Sequence, residues 1–123
     1  MTEKDNAIVS KSKAFALRII KLYRYLSDSK KELILSKQIL RSGTSIGANI
    51  REGICGQTKK DFLAKMFIAL KEASETEYWL ELLHESNYID DESFESIYTD
   101  CHELLKLLVT ITKTTAEKLK KKQ

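Results

Sequence analysis

Apolar positions along the chain recur three and four residues apart, and no stretch alternates with period two. Phe15, Ile19, Leu22 and Leu26 follow a 4-3-4 spacing, widened by Ile8, Ile20 and Tyr23, which predicts an amphipathic helix over about residues 6–27. Ser29-Lys-Lys-Glu32 then reads as a capping box ahead of Leu33-Ile34-Leu35, so a second helix is expected over about 30–55. Thr58-Lys-Lys-Asp61 opens a third, over 59–86, with Phe62, Met66, Ala69, Ala73, Thr76, Leu80 and Leu83 on its inner face. Asn87 to Asp91 is a turn in which Asp90 or Asp91 caps a fourth helix over 91–117. Its stripe is Phe94, Ile97, Cys101, Leu104, Leu108 and Ile111, and Lys118 to Gln123 read as a fraying basic tail. Long helices joined by such short links must fold back on one another. The expected fold is all-α: an antiparallel up-down-up-down four-helix bundle, one domain over residues 1–123.

Composition sharpens this picture in two places. No apolar run approaches the ~20 residues of a membrane helix, and the N-terminal segment lacks a signal peptide's apolar core. A cytoplasmic protein follows as the expectation, with Cys55 and Cys101 as reduced thiols packed like small hydrophobes. The net charge of +3 conceals a strong segregation. Residues 1–71 hold 15 Lys and Arg against 6 Asp and Glu, whereas residues 72–105 hold 11 acidic residues and no Lys or Arg. Such a chain folds into a molecule with faces of opposite sign.

All four glycines, Gly43, Gly47, Gly53 and Gly56, fall in one stretch, and proline is absent. Glycine inside a helix costs about 1 kcal/mol relative to alanine, so something must offset Gly43 and Gly47. One reading is close helix packing along Leu40, Gly43, Gly47, Ile50 and Ile54, with Ser42, Ser45 and Asn49 as a polar row and Asn49 fixing register in the core. The other makes that row, with Arg41, Arg51 and Glu52, a docking surface. Gly53 and Gly56 suit a helix C-cap with positive φ.

The segment containing Ser45, Ala48, Asn49, Ile50, Glu52 and Gly53, together with Lys60 to Leu83, resembles the bacterial four-helix-bundle family of ribosomal RNA intervening-sequence proteins. That family is related to the accessory protein of diversity-generating retroelements. The match covers about residues 29–89. It departs at Asn87-Tyr88, where relatives carry Gly-Tyr, and around Phe15, where many relatives carry a Trp. The resemblance implies a fold, assembly as a homo-oligomer (a pentamer in similar members) and nucleic-acid binding on a basic surface. Gly43, Ser45, Gly47, Asn49, Glu52 and Gly53 are then mainly structural motif residues.

Candidate chemistry is sparse. Glu81-Leu-Leu-His84 has the spacing of a bundle metal pair but stands alone, so no metal or cofactor is expected. No nucleophile-elbow or catalytic-cysteine pattern is present, and no enzyme is expected. Lys11, Lys13, Arg18, Lys21, Arg24, Lys37, Arg41 and Arg51 are the candidate phosphate- or partner-binding residues. They have two readings: contacts to nucleic-acid backbone, or pairing with the acidic segment of the next subunit in a head-to-tail ring. Glu72, Glu75, Tyr78 and Trp79 are candidate subunit-interface residues, with packing against a helix rim as the alternative for Trp79. The function expected is a non-enzymatic oligomer that binds nucleic acid or a nucleoprotein partner; the alternative is a protein–protein adaptor without nucleic-acid affinity.

Overall fold

The computed structural model describes residues 3–121. Four α-helices, α1 (Glu3–Arg24), α2 (Leu35–Ile54), α3 (Lys59–Glu85) and α4 (Asp91–Lys121), follow one another, and α1 continues into a short π-helical turn at Tyr25–Ser29. Among the described residues there is no strand. The contacts run α1 to α2, α2 to α3, α3 to α4 and α4 back to α1, the closed ring of an antiparallel up-down-up-down bundle. No helix is long and apolar enough to cross a membrane. The basic segment from Lys118 to Lys121 belongs to α4 instead of fraying; the last two residues of that expected tail lie outside the described residues.

The inner stripes of α1, α3 and α4 sit where their spacing puts them. Phe15, Ile19 and Leu26 meet Met66, Ala69, Ala73, Leu80 and Leu83 of α3 and Ile97, Cys101, Leu104, Leu108 and Ile111 of α4 in one buried core. The cap of α3 is also as expected, the Thr58 hydroxyl accepting from the Asp61 N–H at 3.0 Å. Asp90 caps α4 by accepting from the Ser93 N–H at 2.7 Å, and this bond holds its carboxyl below the usual range. At the end of α3, the Tyr88 N–H bonds the Leu83 carbonyl and the Asn87 N–H that of His84. This Schellman motif needs a left-handed residue, and Asn87, at φ 67°, supplies it.

Helix α2 departs from the expectation in three ways. It starts at Leu35, not near residue 30, because Ser29 ends the π-turn and Lys31 takes a left-handed φ of 56°. Glu32 still caps the helix, its carboxylate accepting from the N–H groups of Ile34 (3.1 Å) and Ser36 (2.8 Å). Second, the buried line is Ile39, Gly43, Ile46, Ile50 and Gly53, rotated from the expected stripe because α2 is wedged between α1 and α3. Third, no glycine among the described residues has a positive φ. Gly53 lies inside the helix against Met66 and Lys65, and Cys55, not a glycine, is the C-cap.

The glycines act through space. A Cβ on Gly43 would come within 2.7 and 2.9 Å of the two γ-carbons of Ile19, the stiff root of a β-branched side chain. One on Gly47 would stand 3.3 Å from the Ser12 hydroxyl. Register is fixed on the opposite side by a buried pair, Ser42 and Thr76, whose hydroxyl oxygens lie 2.9 Å apart. The Thr76 proton goes to the Glu72 carbonyl at 2.7 Å, leaving its oxygen to accept from Ser42. Asn49 does not play this part. It is half-buried, and its amide donates along its own helix to the Ser45 carbonyl at 2.8 Å.

Gly43→Ala therefore lowers stability by about 1–3 kcal/mol through overpacking, despite its better helix propensity. Gly47→Ala stays within about 1 kcal/mol of the wild type, on the stabilising side if Ser12 yields. Urea unfolding followed by circular dichroism checks both, and equal losses at the two positions would contradict the close approach at Ile19.

Candidate nucleic-acid and assembly surface

The eight candidate cations divide sharply once placed. Three are consumed within the chain. Lys11 pairs with Glu103 at 2.6 Å, and Arg18 pairs with Asp100 at 2.7 Å while also bonding the Ser96 carbonyl and hydroxyl. Arg41 of α2 spans Glu72 (3.1 Å) and Glu75 of α3. The acidic segment is thus already met in cis by α1 and α2. Exposed pairs of this kind contribute about 0–1 kcal/mol each, so their main effect is to cancel local charge.

The other five, Lys13, Lys21, Arg24, Lys37 and Arg51, are exposed and form no ion pair among the described residues. Lys13 and Arg24 lie on the outer face of α1, Lys21 stands at the edge of the α1–α4 cleft beside Arg18, and Lys37 and Arg51 occupy the outer face of α2. The register of the two helices, Ile19 beside Gly43 and Ser12 beside Gly47, sets Arg24 level with Lys37 and Lys13 near the level of Arg51. Ala48, Thr44 and Ser45 lie between the two basic ends of α2. The result is one side of the bundle with small residues at its centre and uncompensated positive charge toward both ends.

The remaining motif residues are structural in their contacts. The Ser45 hydroxyl donates to the Arg41 carbonyl at 2.5 Å, and Glu52 meets Lys65 across the α2–α3 seam at 3.4 Å. Glu72 and Glu75, candidate interface residues, are engaged by Arg41 in their own chain. Trp79 is half-buried and donates its indole N–H to Glu75 at 3.0 Å, the rim-packing alternative, while its neighbour Tyr78 remains 53% exposed. Two further apolar groups escape sequence reasoning. Leu33 and Ile34 read as helix starters but stand 56% and 75% exposed on the α1–α2 link. Phe67 and Ile68 are also exposed, and here helical geometry held the clue, since both fall off the inner face marked by Met66 and Ala69.

Both histidines bridge α3 and α4. His84 meets Asp91 at 2.7 Å and stacks on Phe94, and His102 meets Glu77 at 2.8 Å. Between them the Tyr98 hydroxyl donates to Glu81 at 2.9 Å, and burial with this bond pushes the phenol above its ordinary range. Glu81 and His84 therefore face different partners, and no described group of three or more His, Cys, Asp or Glu could hold a metal ion. Of the cysteines, Cys101 is buried, which raises its thiol pKa, but Cys55 is exposed at the α2 C-cap, not packed as expected. A cleft lined by Arg18, Lys21, Leu22, Ile89, Ser93 and Ile97 holds about 240 Å³. That is below the roughly 300–1,000 Å³ of small-molecule sites.

Known proteins give the fold a context. The chain is similar to a protein of unknown function from the S23 ribosomal protein family of Bacteroides thetaiotaomicron VPI-5482, whose crystal structure was determined at 1.70 Å. The two are 57% identical and superpose with a TM-score of 0.88, over 89% of this chain and 98% of that one. Among curated proteins none matches the chain. A profile of the 23S rRNA-intervening sequence protein family matches residues 4–110. With its bundle, its α2 glycine motif and this match in hand, the chain belongs to the 23S rRNA-intervening sequence protein family.

Proposed function

We propose that the protein is a non-enzymatic, cytoplasmic homo-oligomer that binds the phosphate backbone of a nucleic acid, alone or within a nucleoprotein, through the α1–α2 side. The observation that carries this reading is the division of the cations. Lys13, Arg24, Lys37 and Arg51 stay exposed and without ion pairs among the described residues on the α1–α2 side, with Lys21 exposed at the adjoining α1–α4 edge, while acidic residues concentrate on α3 and α4. No sequence-reading motif accompanies them, so binding is backbone-driven, indifferent to sequence and steeply salt-dependent. The resemblance to family members that assemble as pentamers supports the oligomeric half.

Five phosphate contacts on a duplex give a slope of about −4.5 for log K against log salt concentration. Fluorescence anisotropy with a labelled duplex and a labelled single strand tests this across a salt series. Lys21→Gln with Arg24→Gln is expected to weaken binding to every sequence alike and to flatten the duplex slope by about two. Lys11→Gln, whose ammonium already faces Glu103, changes it far less. An oligomer with no affinity for either probe would favour the adaptor reading instead.

A further inference from the structure

We infer that the cleft between α1 and the start of α4, lined by Arg18, Lys21, Leu22, Ile89, Ser93 and Ile97, receives one unpaired nucleobase while Lys21 holds the phosphate attached to it. The inference rests on the nucleic-acid reading above and deepens it by naming the class of ligand: a strand with a base free of pairing, not an uninterrupted duplex.

The cleft has a fixed apolar floor. Ile89 and Ile97 are buried members of the core, and Leu22 packs against it. Most polar groups around this floor are already engaged. The Arg18 guanidinium donates to the Asp100 carboxylate at 2.7 Å and to the Ser96 carbonyl and hydroxyl at 3.3 and 3.0 Å. The Ser93 N–H donates to Asp90 at 2.7 Å, and the Ser93 hydroxyl bonds the same carboxylate. Lys21 is different: it is exposed and forms no ion pair among the described residues.

This set of walls is selective. A free carboxylate binds best in the fork of an arginine, and here Asp100 occupies that fork. A plain aliphatic group fits the floor but gains nothing from Lys21. A flat group with apolar faces and an anion at its edge uses every wall. The guanidinium plane, held by three hydrogen bonds, is a stacking surface for such a group. A nucleobase joined to its phosphate has this shape and charge. The volume agrees, since 240 Å³ is room for about eight water molecules at about 30 Å³ each, the scale of a single base. Position agrees as well. Lys21 lies one helical turn from Arg24, so a backbone following the α1–α2 cations passes the mouth of the cleft. The acidic groups nearest that mouth, Asp90 and Asp100, are directed at Ser93 and Arg18.

Fluorescence anisotropy with two labelled single strands of equal length and charge tests this: an oligothymidylate, and the same strand with its central bases removed to leave abasic sites. The protein is expected to bind the thymidylate at least about fivefold more tightly, the lower end of what stacking one base gives. Ser93→Leu narrows the cleft from an exposed position and keeps the backbone N–H that Asp90 caps. Arg18→Lys keeps the charge beside Asp100 but removes the planar face. With circular dichroism confirming the fold, each variant is expected to lose the preference by binding thymidylate more weakly, while its affinity for the abasic strand stays that of the wild type. Equal binding of the two strands by the wild type overturns the base site and leaves the backbone-driven reading standing. A preference that survives in both variants also overturns it, because the base then sits elsewhere. Binding of neither strand, with no affinity for a duplex, removes the nucleic-acid reading itself and this inference with it.

Discussion

The close approach of α2 to α1 at Gly43 and Ile19 is the contact on which the rest of the molecule depends. With two γ-carbons of Ile19 only 2.7 and 2.9 Å from where a Cβ would lie, any side chain at position 43 forces Ile19 or the helices to shift. That distance is set on one flank of α2, and the Ser42–Thr76 hydroxyl pair sets the register on the other. A helix gripped on both flanks has no freedom to rotate, which is why its buried line follows Ile39, Ile46 and Ile50 through the two glycines at 43 and 53. The roughly 1 kcal/mol that each helical glycine forgoes is offset by packing along the whole seam.

The same register decides the electrostatics. It brings Arg41 to Glu72 and Glu75, and the closure of the bundle brings Lys11 and Arg18 to Glu103 and Asp100. These pairs are too exposed to hold the fold together. What they change is the field, neutralising three of the eight candidate cations and leaving four exposed on the α1–α2 side and Lys21 at the α1–α4 edge. Sequence segregation of charge therefore does not translate into a simple two-faced molecule. Part of it is neutralised by ion pairs inside the chain, and only the remainder faces outward.

The parts legible in the sequence were those governed by local rules. The stripes of α3 and α4 came from period alone, and Thr58 and Asp90 announced their caps because a side-chain oxygen before an apolar run has few other uses. The motif glycines were correctly singled out, but their contacts were not readable. Whether a glycine serves a left-handed turn or a close approach depends on a partner, here Ile19 or Met66, that lies far along the chain. The start of α2 was misplaced for a similar reason. Glu32 caps equally well from a loop as from a first turn, and only the left-handed Lys31 and the π-turn decide between them. Ion pairing was the least legible, because which of eight cations meets an acid depends on register among three helices. Leu33 and Ile34 carried no sequence signal of exposure, since an apolar pair beside a helix start ordinarily faces inward.

Lysine reactivity mapped by mass spectrometry, with and without bound nucleic acid, tests the central claim most directly: that intramolecular pairing selects the cations available to a ligand. Lys13, Lys21 and Lys37 are expected to lose reactivity when nucleic acid is added, while Lys11 and Lys65, already facing Glu103 and Glu52, change little. Protection confined to Lys11 and Lys65, or falling on the α4 lysines Lys118, Lys120 and Lys121 alone, would contradict it.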